Sequence, residues 1–129
     1  MADAVLDSSA ILAVILEEPG ADRVEAYLPG GKVSAVNIGE VVAKLRDLGM
    51  PERTTTEVIA GLQLDVHVHD LHAALLSGHL RPRTREAGLS LGDRACLALA
   101  QAFGLPTVTS DRSWLAVADE IGVRVELIR

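Results

Sequence analysis

Apolar residues along this 129-residue chain follow two alternating rhythms. Short apolar runs of strand length, some alternating with polar residues, predict strands over residues 3–7, 32–35, 64–69, 106–109 and 123–127. Between them lie stretches that predict helices over 8–16, 21–28, 37–48, 51–62, 71–80, 91–103 and 113–120. The clearest is 37–48, where Ile38, Val41, Val42, Leu45 and Leu48 share one face and Gly49 ends the run. Pro51 opens the next helix in its first turn. Residues 91–103 are apolar almost all round, the pattern of a central, buried helix. Glu-Glu-Pro-Gly at 17–20 and Pro-Gly-Gly at 29–31 punctuate the early helices, and 81–90 reads as a polar, arginine-rich loop.

Strands that alternate with helices predict an α/β fold, a central and mostly parallel sheet covered by helices on both faces. The length fits a single domain, 1–129. Right-handed crossovers bring the carboxyl ends of the strands to one edge, where ligands bind in such sheets. Hydrophobic residues make up 49% of the chain and aromatics 2%, so the core is expected to consist of Ala, Val, Leu and Ile. The single cysteine, Cys96, allows no internal disulfide and suits a reducing compartment. Asp3 and Asp7 interrupt the first apolar stretch, no basic segment precedes it, and no run approaches the roughly 18 apolar residues of a membrane span. The expectation is a soluble, cytoplasmic protein. The net charge of −6 argues against a broad basic surface for nucleic acid. It leaves room for an acidic cluster that meets a polyanion through bound cations.

Four acids have positions that favour such a cluster. Asp7 closes the first predicted strand, Glu40 lies in the first turn of the helix after the second, Asp93 begins the apolar helix, and Asp111 closes the strand at 106–109. The topology gathers all four at one edge. Carboxylates held together repel one another, and burial disfavours their charge further. A hard divalent cation removes that penalty, and an all-oxygen set favours Mg²⁺ or Mn²⁺ over Zn²⁺. The chemistry that follows is metal-assisted hydrolysis of a phosphodiester. Each acid alone has an equally good local explanation. Ser90-Leu91-Gly92-Asp93 fits a capping box, Asn37-Ile38-Gly39-Glu40 resembles one, and Asp7 and Asp111 suit helix caps or turns.

The same residues carry a resemblance. Val5-Leu6-Asp7-Ser8-Ser9 resembles the opening motif of PIN-domain nucleases, and Ser34 to Val41, with Glu40, resembles their second. Leu89-Ser90-Leu91-Gly92-Asp93 is similar to the third motif, and Val108-Thr109-Ser110-Asp111-Arg112, with Thr two residues before Asp, to the fourth. Order and spacing agree along nearly the whole chain, and length and last strand match VapC-type toxins of toxin–antitoxin pairs. The resemblance implies a PIN-like three-layer fold and a Mg²⁺-dependent, sequence-selective endoribonuclease. It implies RNA as substrate, a small antitoxin as inhibitor and a homodimer. Asp7 and Asp93 would contact the metal most directly, with Glu40 and Asp111 completing the pocket or holding metal-bound water.

Arg94 and Arg112 directly follow two of the acids and are expected to contact RNA phosphate, whereas Arg81, Arg83 and Arg85 fit a solvated loop slightly better. His67, His69 and His72 lack a further ligand spaced for zinc, and Cys96 fits a small core residue. Apolar stretches at 10–16 and 58–62 suit either core or a groove for a partner helix. A haloacid-dehalogenase-like phosphatase needs Asp where Ser9 stands, and a catalytic lysine; Lys32 and Lys44, the only lysines, follow no late strand. A receiver domain lacks the same lysine. The alternative from another class is a non-catalytic RNA- or antitoxin-binding module on the same fold.

Overall fold

The computed structural model describes residues 3–129. In chain order the elements are β1 (Val5–Leu6), α1 (Ser8–Ile15), α2 (Ala21–Glu25), β2 (Lys32–Ser34), α3 (Ala35–Asp47), α4 (Glu52–Gly61) and β3 (Asp65–His67). The chain continues with α5 (Leu71–His79), α6 (Arg81–Thr84), α7 (Leu91–Phe103), β4 (Thr107–Thr109), a 3₁₀ turn (Arg112–Ala116), α8 (Ala118–Ile121) and β5 (Val125–Leu127). The five strands lie in the order β3-β2-β1-β4-β5, and every pairing is parallel. The expected α/β architecture is therefore present, with a wholly rather than mostly parallel sheet.

The sheet divides the interior into two cores, as side-chain alternation along a strand requires. Ala4 and Leu6 join Ala10, Ile11, Val33, Val41, Leu45 and Val108 on one side. Val5, pointing the other way, joins Leu80, Cys96, Leu97, Ala100, Trp114 and Ile121. The apolar stripe of α3 thus packs on the first side and α7 on the second. Gly49 ends α3 by taking a φ of 93°, a conformation that costs glycine little.

Four expectations change. The supposed loop at 81–90 opens with α6, where the buried Thr84 hydroxyl donates to the Leu80 carbonyl at 2.9 Å; Arg81, Arg83 and Arg85 stay exposed. The helix expected at 113–120 splits into the 3₁₀ turn and α8, because Trp114 is buried from the tighter turn while Ile121 is buried from the helix. At β3, an edge strand, the polar residues face inward: Asp65 pairs with Lys32 at 2.8 Å, and His67 meets the Phe103 ring edge-on, leaving Val66 exposed. Pro51 precedes α4 as its N-cap instead of lying in its first turn.

Candidate functional site

Strand order reverses at β1, whose neighbours are β2 on one side and β4 on the other. Chain crossovers leave in opposite directions there and open a crevice at the carboxyl ends of the strands. Asp7 follows β1 at this point, and Asp111 follows β4 across from it. Asp93 is the third residue of α7 and Glu40 the sixth of α3, a turn later than expected because α3 begins at Ala35.

Asp7 occupies the N-cap position of α1 but its side chain caps nothing. It is 3% exposed and turns inward. Its Oδ2 accepts from Ser9 Oγ at 2.7 Å and from Thr109 Oγ1 at 2.8 Å. These hydroxyls in turn accept from the Ser110 and Asp111 amides, at 3.0 and 3.1 Å, which ties the ends of β1 and β4 together. Burial pushes the Asp7 pKa up to about 6; the two hydroxyls pull it down, and the charge of Asp93 pushes it further up.

Asp93 is half-buried and closes the predicted capping box: Ser90 Oγ accepts from its amide at 3.2 Å, and its Oδ2 accepts from the Ser90 amide at 2.8 Å. Burial raises its pKa, the Ser90 bonds oppose that rise, and the charges of Asp111 and Glu40 add to it. Asp93 is thus the electrostatic neighbour of all three other acids. Asp111 caps the 3₁₀ turn, its Oδ1 accepting from the Ser113 amide at 2.9 Å and the Ser113 hydroxyl at 2.7 Å. Glu40 is exposed as a residue, yet its Oε1 accepts from Asn37 Nδ2 at 2.9 Å and its carboxylate lies directly on Gly92.

The capping and cation-binding readings therefore coexist. Each acid gives one oxygen to the chain's own donors. Among the described residues, Asp93 Oδ1, Glu40 Oε2 and Asp111 Oδ2 accept nothing, and Asp7 Oδ1 has a long contact of 3.4 Å from Ser8 Oγ. None of the four takes part in an ion pair among those residues. No three acidic, histidine or cysteine side chains among them come together as a group that could hold a metal ion. An ion such as Mg²⁺, which keeps several waters and binds through one or two carboxylates, needs no such group of three. The donors present are all hard oxygens, with the half-buried Asp93 between the buried Asp7 and the other two acids, and their chemistry fits such an ion.

Sequence reasoning missed several contributors. The sequence pattern places Asn37 in a cap, but Ser34 caps α3, accepting from the Val36 amide at 3.2 Å. Asn37 lies inside the helix, fully buried. Gly92, a glycine within a helical pattern, was the available sign of a close approach. Of the two arginines, Arg112 is exposed, whereas Arg94 is half-buried with its Nη1 donating to the Ser77 carbonyl at 3.3 Å. Cys96 is the expected core residue, its thiol pKa pushed well up by burial. His67, His69 and His72 border a cavity of about 210 Å³ between α5 and α7, and His67 Nε2 meets Asp65 Oδ2 at 3.1 Å.

A family model for the PIN domain matches residues 4–120. The chain belongs to the PIN-domain family, and its parallel sheet flanked by helices agrees with that assignment. Its fold is similar to that of DNA-bound VapBC from Salmonella typhimurium, at 22% identity and a TM-score of 0.77 over 100% of both chains. It is similar to a toxin–antitoxin complex from Klebsiella pneumoniae, at 19% identity and a TM-score of 0.74 over 98% of each chain. It also resembles VapC20 of Mycobacterium tuberculosis, a sarcin–ricin loop cleaving toxin, at 18% identity and a TM-score of 0.73 over 88% of this chain and 93% of that one. No curated protein matches the chain in sequence. No helix among the described residues is long and apolar enough to cross a membrane.

Proposed function

We propose that this chain is a Mg²⁺- or Mn²⁺-dependent endoribonuclease and the toxin of a toxin–antitoxin pair. The observation that carries the reading is Asp7, a carboxylate sealed from water with a second carboxylate in its field. Burying unpaired charge is costly, and the cost is retained where a ligand repays it. Asp7 and Asp93 would hold the ion most directly, with Glu40 and Asp111 completing the pocket or holding its waters. When bound, the ion would activate a water and stabilise charge on the phosphodiester and its leaving oxygen. Ser9 and Thr109 stabilise the ionised form of Asp7 and fix its orientation. Glu40 Oε2 and Asp111 Oδ2 remain available to accept protons from water. Arg112 faces solvent beside the site and supplies a phosphate contact; Arg94 does so only if it leaves Ser77.

The similar VapBC and toxin–antitoxin structures support an antitoxin partner, and the sarcin–ricin cleaving relative supports RNA as substrate. A homodimer in the cytoplasm completes the proposal. The test is cleavage mapping on total RNA by the antitoxin-free protein, with Mg²⁺, with Mn²⁺ and with chelator. Metal-dependent cuts that vanish in Asp7→Asn support it. Inactivity of the folded protein across several RNA pools, with RNA or antitoxin binding retained, would make it a binding module.

A further inference from the structure

Asn37 reaches Glu40 and Gly92 with a single nitrogen. Its Nδ2 donates to Glu40 Oε1 at 2.9 Å and to the Gly92 carbonyl at 3.0 Å, linking α3 to the first turn of α7. The residue is fully buried, and its Oδ1 has no hydrogen-bond partner among the described residues. An orphaned buried carbonyl is unfavourable. Rotating the amide would not cure this, because the oxygen would then face a carboxylate and a carbonyl. The orientation is fixed by what the nitrogen holds. From the other side, a Cβ on Gly92 would overlap all three carboxyl atoms of Glu40.

We infer that Asn37 and Gly92 together form a seat for the Glu40 carboxylate, making them positioning residues for the acidic site. The inference rests on the metal-site reading above. Glu40 is otherwise an exposed, flexible side chain whose rotamer freedom would have to be lost each time an ion or its waters engaged it. The amide supplies the attraction that holds the carboxylate in, and the missing side chain at 92 supplies the room. An electrostatic consequence follows, since the seat sets Glu40 against the amino end of α7, where helix peptide dipoles favour negative charge.

The experiment is Mn²⁺ titration by calorimetry on the full chain, at a temperature where circular dichroism shows each variant folded. Asn37→Ala and Gly92→Ala are each expected to weaken Mn²⁺ binding about 10- to 100-fold, the usual effect of losing a residue that orients a ligand. In a Glu40→Gln background the same changes are expected to shift affinity less than about twofold, because coupled residues are not additive. Either variant, if folded and binding Mn²⁺ like the wild type, overturns the seat. So does an equal loss in both backgrounds, which would mean action through α7 instead of Glu40. Should Asn37→Ala not fold, Gly92→Ala decides. Asp7→Asn is the control: unchanged Mn²⁺ affinity there overturns the metal site itself, and the seat with it.

Discussion

Two aspartates at opposite ends of the sheet have opposite fates. Asp65, at the amino end of β3, receives Lys32 Nζ at 2.8 Å and His67 at 3.1 Å, and these partners hold its carboxyl below the ordinary range. Asp7, beyond the carboxyl end of β1, has two hydroxyls, no cation among the described residues, and a pKa pushed up to about 6 by burial. The first acid is neutralised by the chain; the second is left for something else to neutralise. Fold stability alone favours the arrangement at Asp65. Retaining the one at Asp7 makes sense where a bound cation is part of the working state.

The sharpest way to break this contrast is to remove each charge and follow activity. Asp7→Asn is expected to reduce metal-dependent RNA cleavage by roughly 10³-fold in single-turnover assays, since an orienting and charge-stabilising metal contributes several kcal/mol. Asp65→Asn should leave the rate near wild type. Equal losses would erase the distinction.

Stability in chelator should rank the two the other way. The folded-state pKa of Asp7 lies above its ordinary 3.8, so the folded protein binds that proton more tightly than the unfolded chain does. Its contribution is therefore fully present below about pH 4 and is lost as pH rises through about 6. Asn keeps the hydroxyl bonds without the charge. Near neutral pH, Asp7→Asn should be more stable than wild type by up to about 3 kcal/mol, at about 1.4 kcal/mol per pH unit. Added Mn²⁺ should shrink or reverse the difference. Denaturant melts at several pH values check this, and a destabilised Asp7→Asn variant in chelator would refute it. Asp93→Asn should gain less, because its carboxylate also closes the α7 capping box, a bond set worth about 1 kcal/mol.

Gly92→Ala sharpens the comparison between site and scaffold. Alanine is about 1 kcal/mol better than glycine within a helix, and Glu40, exposed at the surface, can swing away from the new methyl. Thermal stability is expected to hold or rise slightly while metal-dependent cleavage falls. A parallel drop in both would mean that Glu40 cannot move.

Smaller effects concern the arginines. Arg112→Ala should reduce the salt slope of RNA binding by about 0.7–1, one phosphate contact. Arg94→Ala should act mainly on stability, because its guanidinium is turned to the Ser77 carbonyl. The smallest effect belongs to Asp65→Asn on stability, a partly exposed pair screened by salt, with a melting shift near measurement error.

Much of this architecture was legible beforehand wherever local physics acted alone. The all-round apolar run fixed α7 at both ends, and the single stripe of α3 reported a helix covered on one face. Local reasoning erred where a distant element overrode the pattern. In β3 the alternation was visible, but an edge strand against Phe103 turned its polar residues inward. At 81–90, abundant arginine concealed a turn of helix anchored by Thr84. The acids were found because Asp and Glu at strand ends and helix starts are conspicuous; Asn37 was misjudged because an asparagine three residues before a glutamate reads as a cap.

The sequence by itself determined the alternation of strands and helices, the parallel sheet and the four acids, since each depends on the periodicity or chemistry of neighbouring residues. The tertiary structure alone decided the strand order, the burial of Asp7 between the ends of β1 and β4, and the meeting of Asn37, Glu40 and Gly92. Asp7 meets Thr109 across 102 positions and Asn37 meets Gly92 across 55. Contacts across such separations arise from packing the whole chain, and no local pattern encodes them.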